Sequence, residues 1–238
     1  IEFSPTTSST SGTIVVSSSG VTSDGTGTIS VGTGVLDQII IRDAIGGSGS
    51  VVETLSMTTD EVKTLYMAGY DQANNYIREV NVQWSVQGDI GTISTGASYA
   101  SSTVLTATTI GTGTVQADTS SFQDQTGIIT VTGGTLSYLL IRDGANGGGS
   151  EVGDVTMTTD ETLLLYAAGY DADNNYLSDI DVSWSVTGSL DAVPVSGTSI
   201  EFSPTTSSTS GTIVVSSSGV TSDGTGTISV GTGVLDQI

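Results

Sequence analysis

Residues 1–39 and 200–238 are the same letters in the same order, beginning IEFSPTTSSTSG, so the sequence has a period of 199 residues. Long exact repetition restricts a chain to units that can be strung in tandem, each folding largely from its own residues. The period divides again. Placing Arg42–Gly88 on Arg142–Gly188 without a gap gives 25 identities in 47 positions, with LYMAGYDQANNYIREVNVQWSV answered by LYAAGYDADNNYLSDIDVSWSV. The expected organisation is therefore residues 1–35 as the last strands of a preceding repeat, 36–135 as one complete domain, 136–235 as a second, and 236–238 as the start of the next. Three strands alone bury too little surface to be stable. Either another chain completes residues 1–35 or they belong to a continuous array, and the array is favoured because the last copy runs through its own final strand.

The composition narrows the functions open to such an array. Four basic residues (Arg42, Lys63, Arg78, Arg142) stand against 25 acidic ones, a formal net charge of −21. That is the wrong sign for a phosphate backbone, whose affinity comes from Lys and Arg displacing counterions, and for anionic lipid, so neither nucleic acid nor direct membrane insertion is expected. The sequence is nonetheless 36% hydrophobic and 12% charged, enough apolar surface to fold. It contains no cysteine and no histidine, which removes the thiol nucleophile, disulfides, and the usual general base and metal ligand. Asp60-Glu61 and Asp160-Glu161 are adjacent carboxylates, but neighbours on a strand point to opposite faces, so neither makes an acid/base pair. An enzyme is not expected.

Local patterning is that of strands. Val80-Asn81-Val82-Gln83-Trp84-Ser85-Val86 alternates apolar and polar residues, as does Ile180 to Val186, which predicts one face on a core containing Trp84 and Trp184. Further strands are expected near 36–42, 50–57, 62–70, 90–95, 103–108, 113–118 and 127–132, between clusters of Gly, Asn, Asp and Ser. Short strands with turns every 8 to 12 residues give an all-β sandwich. Only a few residues, such as Val131 to Leu136, join one domain to the next, so the sandwiches are expected end to end. The runs AIGGSGS and GANGGGS are read as loops inside each domain.

The ordered set GYDxxxN, V-x-W-S-V, Gly91-Thr92-Ile93-Ser94 and Gly111-Thr112-Gly113-Thr114-Val115 resembles bacterial immunoglobulin-like repeats, the modules of invasin and intimin-type proteins and giant surface adhesins. The resemblance covers both complete domains. It implies tandem Greek-key sandwiches at the cell surface or outside the cell, used as a stalk or spacer, with no catalytic residues. Asn74 and Asn174 stand where the family commonly has Gly.

Two candidate sites follow. Asp171, Asp173, Asn175 and Asp179 place oxygen ligands at alternate positions, like the start of a calcium loop, although Val182 stands where that loop needs an acidic residue. A polar turn is the competing reading, and Ala73 weakens the match in the first copy. Calcium is thus the one cofactor considered. Second, Tyr66, Tyr70, Tyr76 and their partners Tyr166, Tyr170, Tyr176 are expected to face outward as an interface, since tyrosine offers area and a hydroxyl together; aromatics tucked beneath a loop are the alternative. The expected partners are other copies of the chain or adjacent repeats. Lys63 offers no isopeptide crosslink of general use, because Leu163 occupies the matching position.

Overall fold

The computed structural model describes residues 1–234; the expected start of a next repeat at 236–238, and residue 235, lie outside the described residues. Among the described residues there is no helix. The chain divides into two compact units, one of Ile1–Met57 with Glu61–Val131, the other of Thr58–Asp60 with the chain from Thr132 onward.

In the first unit, Val62–Tyr70 is the hub of one sheet. It pairs antiparallel with Gln38–Arg42 on one side and with Ser102–Ala107 on the other. Gly91–Ile93 extends the sheet beyond Ser102–Ala107, and Tyr76–Glu79 pairs with the end of the hub strand across a bulge at Gly69/Tyr70. The facing sheet runs Tyr99–Ala100, Val82–Gln87, Gly111–Asp118, Ile129–Thr132, Leu55–Thr58, with Gln123–Gln125 beside Gly111–Asp118.

The period-two pattern decides which side chains lie between these sheets. Leu65 and Met67 of the hub, with Ile39 and Ile41, meet Val82, Trp84, Val115 and Ala117 of the facing sheet in one buried cluster. Each large side chain so buried contributes about 1.5–3 kcal/mol. Trp84 is 2% exposed, and its indole N–H donates to the Ala100 carbonyl at 3.0 Å, so the ring is buried without an unpaired donor. Tyr66, Ala68 and Tyr70 fall on the outer face of the hub strand, as the alternation requires.

The second unit repeats the plan. Leu163–Tyr170 pairs with Tyr138–Arg142, Tyr176–Asp179 and Ser199–Phe202. Ser196–Gly197, Val182–Val186, Ile213–Ser216 and Asp223–Gly224 form a second sheet, and Val155–Thr158, Ile228–Gly231 and Thr209–Gly211 a third. The pairing of Val155–Thr158 with Ile228–Gly231 is parallel. Leu139, Ile141, Leu165, Trp184, Phe202, Ile213, Val215, Ile228 and Val230 share the core; the Trp184 indole donates to Gly197 O at 2.8 Å.

Residues 1–35 belong to the first unit but add nothing to its buried cluster. They form two small hairpin-like pairs, Thr10–Gly12 with Ile29–Val31 and Val15–Ser18 with Val21–Gly25.

Candidate functional site

The two copies of the GYD segment fold alike. The hub strand ends at Tyr70, and the chain turns at once: Asn74 N–H donates to Asp71 O at 2.9 Å and Asp71 N–H to Asn75 O at 3.0 Å. Asn74 and Asn174 take φ of 61° and 68°, the left-handed region that Asn tolerates better than other side chains bearing a Cβ. Asparagine therefore supplies the left-handed residue that each turn needs.

An aspartate holds each turn from inside. Asp71 Oδ1 accepts from Ala73 N–H at 3.0 Å and Asn75 N–H at 2.9 Å, and Asn75 Nδ2 donates to both carboxylate oxygens at 3.1 Å. Asp71 Oδ2 also accepts from Gly34 N–H at 3.0 Å. In the second unit Asp171 Oδ1 accepts from Asp173 N–H at 3.0 Å and Asn175 N–H at 2.8 Å, with Asn175 Nδ2 again spanning both oxygens. Its Oδ2 accepts from the Thr59 hydroxyl at 2.6 Å and Gly134 N–H at 3.3 Å. Asp171 is wholly buried.

The electrostatics follow from these donors. Asp71 is held below its ordinary pKa, chiefly by the Asn75 N–H, against burial that pushes the other way. For Asp171 burial is the largest single influence and pushes upward, yet the donors from Thr59, Asn175 and Gly134 together outweigh it, and the carboxyl ends below its ordinary value. Hydrogen bonds to the charged form favour that form.

These contacts bear on the candidate calcium residues. The oxygens of Asp171 accept N–H and O–H groups, while Asp173 is exposed and contributes its backbone N–H. Asn175 turns its amide N–H₂ to Asp171, and Asp179 accepts from Tyr176 Oη and Asn146 N–H, each at 3.0 Å. Among the described residues no group of three or more acidic side chains is assembled for a metal. The Asp171 carboxylate is thus engaged by the amides of its own turn and by the Thr59 hydroxyl. Asp60 is used similarly, accepting from the N–H and hydroxyl of Thr135 at 2.7 Å each.

The tyrosines require a correction to the expectation of an exposed interface. Tyr70 and Tyr170 do leave the sandwich core on the outer face of the hub strand, yet they are buried, because the glycine-rich loop of each copy folds back over them. Tyr70 Oη donates to Gly47 O at 3.2 Å. A Cβ on Gly47 would collide with the Tyr76 ring, and one on Gly147 would come within 2.6 Å of Tyr176, both glycines having positive φ. AIGGSGS and GANGGGS are thus glycine-rich because a backbone lies flat on an aromatic ring and turns in the left-handed region.

Beneath the loop the rings make edge contacts, Tyr70 to Tyr76 at 6.0 Å and Tyr170 to Tyr176 at 5.8 Å, while Tyr138 stacks on Tyr170 at 5.3 Å. The Arg-Asp pair preceding each loop pins it: Arg42 lies 5.2 Å from the centre of the Tyr70 ring and donates to Gly49 O at 3.0 Å, and Asp43 accepts from Ser50 N–H at 2.7 Å. In the other copy Arg142 donates to Gly148 O at 2.8 Å and Asp143 accepts from Ser150 N–H at 2.6 Å. Tyr66 and Tyr166 are half-buried, in register opposite Arg42 and Arg142. Lys63 forms an ion pair with Asp43 at 3.7 Å, which is not isopeptide chemistry.

A residue that sequence reasoning missed closes this layer. Glu79 Oε1 accepts from Gly46 N–H at 2.8 Å and from Tyr76 Oη at 3.0 Å, and Asp179 plays the same part in the second copy. The signal was an acidic residue three positions after each tyrosine. Burial and then the Asp179 contact push the Tyr176 phenol up to about 12. A group whose folded pKa is raised stabilises the fold below its unfolded value, near 10, and that contribution is lost as pH rises toward 12. In an alkaline titration followed by phenolate absorbance, one tyrosine should ionise near 12 and disappear from the curve in Tyr176→Phe.

No family model and no curated protein matches the chain. Among solved structures, similar ones are the adhesin FdeC of Escherichia coli (15% identity, 84% of this chain and 66% of that one, TM-score 0.37), surface layer protein SbsC domains 4–9 (16%, 93% and 35%, 0.31), and a C-terminal fragment of intimin in complex with the intimin-binding domain of the translocated intimin receptor (16%, 83% and 64%, 0.29). The chain spans less than two thirds of the length of each.

Proposed function

We propose that this chain is a structural segment of an extracellular filament or stalk, built by tandem immunoglobulin-like domains with a 199-residue period of two. The observation that carries this reading is the repeated Asp71 and Asp171 turn. Both copies use their distinctive polar and aromatic residues internally, so that what the sequence repeats is a means of holding shape. A ligand site, by contrast, keeps polar groups facing a cleft for something else to meet. The strong negative charge then serves to keep such units apart in solution except where a specific contact forms. The partners in this reading are adjacent repeats or other copies of the chain.

A second reading is the spacer of a surface adhesin that binds a host, sugar or surface ligand elsewhere in the molecule. It is favoured by the same internal satisfaction of the turns, which suits a spacer as well as a fibre. Electron microscopy of the native material separates the two. Long filaments with an axial repeat matching two sandwich domains are expected, unchanged by a calcium chelator because the Asp171 oxygens already have donors. Isolated flexible molecules would favour the spacer, and filaments lost on chelation would restore the calcium expectation.

A further inference from the structure

The layer beneath the glycine-rich loop is built twice, and the two copies differ in how fully its polar groups are met. Among the described residues, two buried side-chain polar atoms have no hydrogen-bond partner, Arg42 Nε and Glu79 Oε2. Both belong to the first copy, and both side chains hold loop 44–50, Arg42 through Gly49 O and Glu79 through Gly46 N–H.

Their counterparts show the layer fully met. Asp179 divides its donors, Tyr176 Oη going to Oδ1 and Asn146 N–H to Oδ2. Glu79, one methylene longer, takes both donors on Oε1 and leaves Oε2 buried and unmet. Arg142 uses two nitrogens, Nε on Gly148 O and Nη2 on Gly149 O, where Arg42 uses Nη1 on Gly49 O and its Nε is unmet. The second loop also closes its own turn through the backbone, Gly148 N–H donating to Ala145 O at 3.0 Å. In the first, the Ser48 hydroxyl takes the Ile45 carbonyl instead.

We infer that loop 44–50 is a strap that opens, while loop 144–150 stays shut. Each buried polar atom without a partner disfavours the closed form by about tenfold, and opening lets water reach both. The segment is suited to such a motion. Gly46, Gly47 and Gly49 all have positive φ, and glycine is free to adopt many other conformations. Asp43 N–H donates to Ser50 O at 3.1 Å and Ser50 N–H to Asp43 Oδ1 at 2.7 Å, which clasps the two ends of the loop together. No residue of 44–50 belongs to the buried cluster of the unit, so the strap can swing with the core intact. Opening uncovers Tyr70, 5% exposed with the strap shut, together with the Tyr76 ring that meets it edge-on and Arg42 at its face. In the tandem reading above, such a strap recurs once in each 199-residue period.

Amide exchange of the intact chain tests this, because the two copies supply matched probes. Gly46 N–H and Asn146 N–H are twins, each bonded to the acid that follows the tyrosine. After correction for intrinsic rates, Gly46 should exchange at least about tenfold faster than Asn146, the mark of a local opening. Glu79→Asp gives the first copy the acid of the second and should slow Gly46 toward Asn146. Asp179→Glu should make the opposite change at Asn146. Each substitution keeps the charge and introduces the residue that already serves in the twin position, and the amide of Leu65, in the hub strand, should exchange alike in all three proteins. Equal protection of Gly46 and Asn146, or a Gly46 rate that Glu79→Asp leaves unchanged, would overturn the inference.

Discussion

Trp184→Ala should lower the stability of the second unit by about 3–5 kcal/mol, the cost of emptying a fully packed aromatic site. The ring joins the two faces of the core, and its indole N–H closes on Gly197 O, so truncation leaves both a cavity and an unpaired carbonyl. For a domain of about 100 residues each kcal/mol shifts the midpoint by roughly 4–8 °C, giving an expected fall of at least ~12 °C. The chain has two tryptophans, and in this variant the fluorescence of Trp84 reports the first unit while circular dichroism follows both. A shift of less than ~4 °C would mean that the second core closes over the vacancy or is not organised around this ring.

The second large effect concerns a charge. Asp171→Ala removes the acceptor for the N–H groups of Asp173, Asn175 and Gly134, the Asn175 amide and the Thr59 hydroxyl. Each buried donor left without a partner costs about 1–3 kcal/mol, and water entering a loosened turn recovers part of it; a loss of about 3 kcal/mol is expected. Asp171→Asn should lose less, since it keeps one acceptor oxygen, but its amide then meets Gly134 N–H with another donor. The wild-type contribution should also depend on pH. Because the folded pKa is lowered, the stabilisation is complete above the ordinary carboxylate range and fades as pH falls through and below it. Chemical denaturation midpoints measured from neutral to acidic pH should converge for wild type and Asp171→Asn at the acid end. Parallel curves would assign the stabilisation to shape rather than to the charge.

Much of the architecture was legible because it rests on period-two alternation. The pattern Val82-Trp84-Val86 put the right faces inward, and Leu65 and Met67 fell into the core opposite them. The short strand Tyr76–Glu79 was not legible. It pairs over only a few residues across a bulge, and such pairing leaves no periodic trace. The candidate site was harder for a related reason. Alternation says that Tyr70 leaves the core, and it does; whether something then covers it depends on a loop some twenty residues earlier, whose glycines reveal flexibility but not destination. Asp171 presented the same difficulty. An aspartate among asparagines looks alike whether its oxygens await a metal or already hold amide protons, and the distinction lies in Thr59 and Gly134, distant in sequence.

The parallel pairing of Val155–Thr158 with Ile228–Gly231 bears on how this unit responds to tension. In a parallel pair, the early end of one strand and the late end of the other lie at opposite extremes of the shared edge. Tension that reaches Val155 and Gly231 slides these two strands lengthwise, loading their hydrogen bonds side by side, whereas a hairpin pulled at its open end peels one bond at a time. A domain closed in this way yields abruptly, at a higher force, rather than by gradual unravelling.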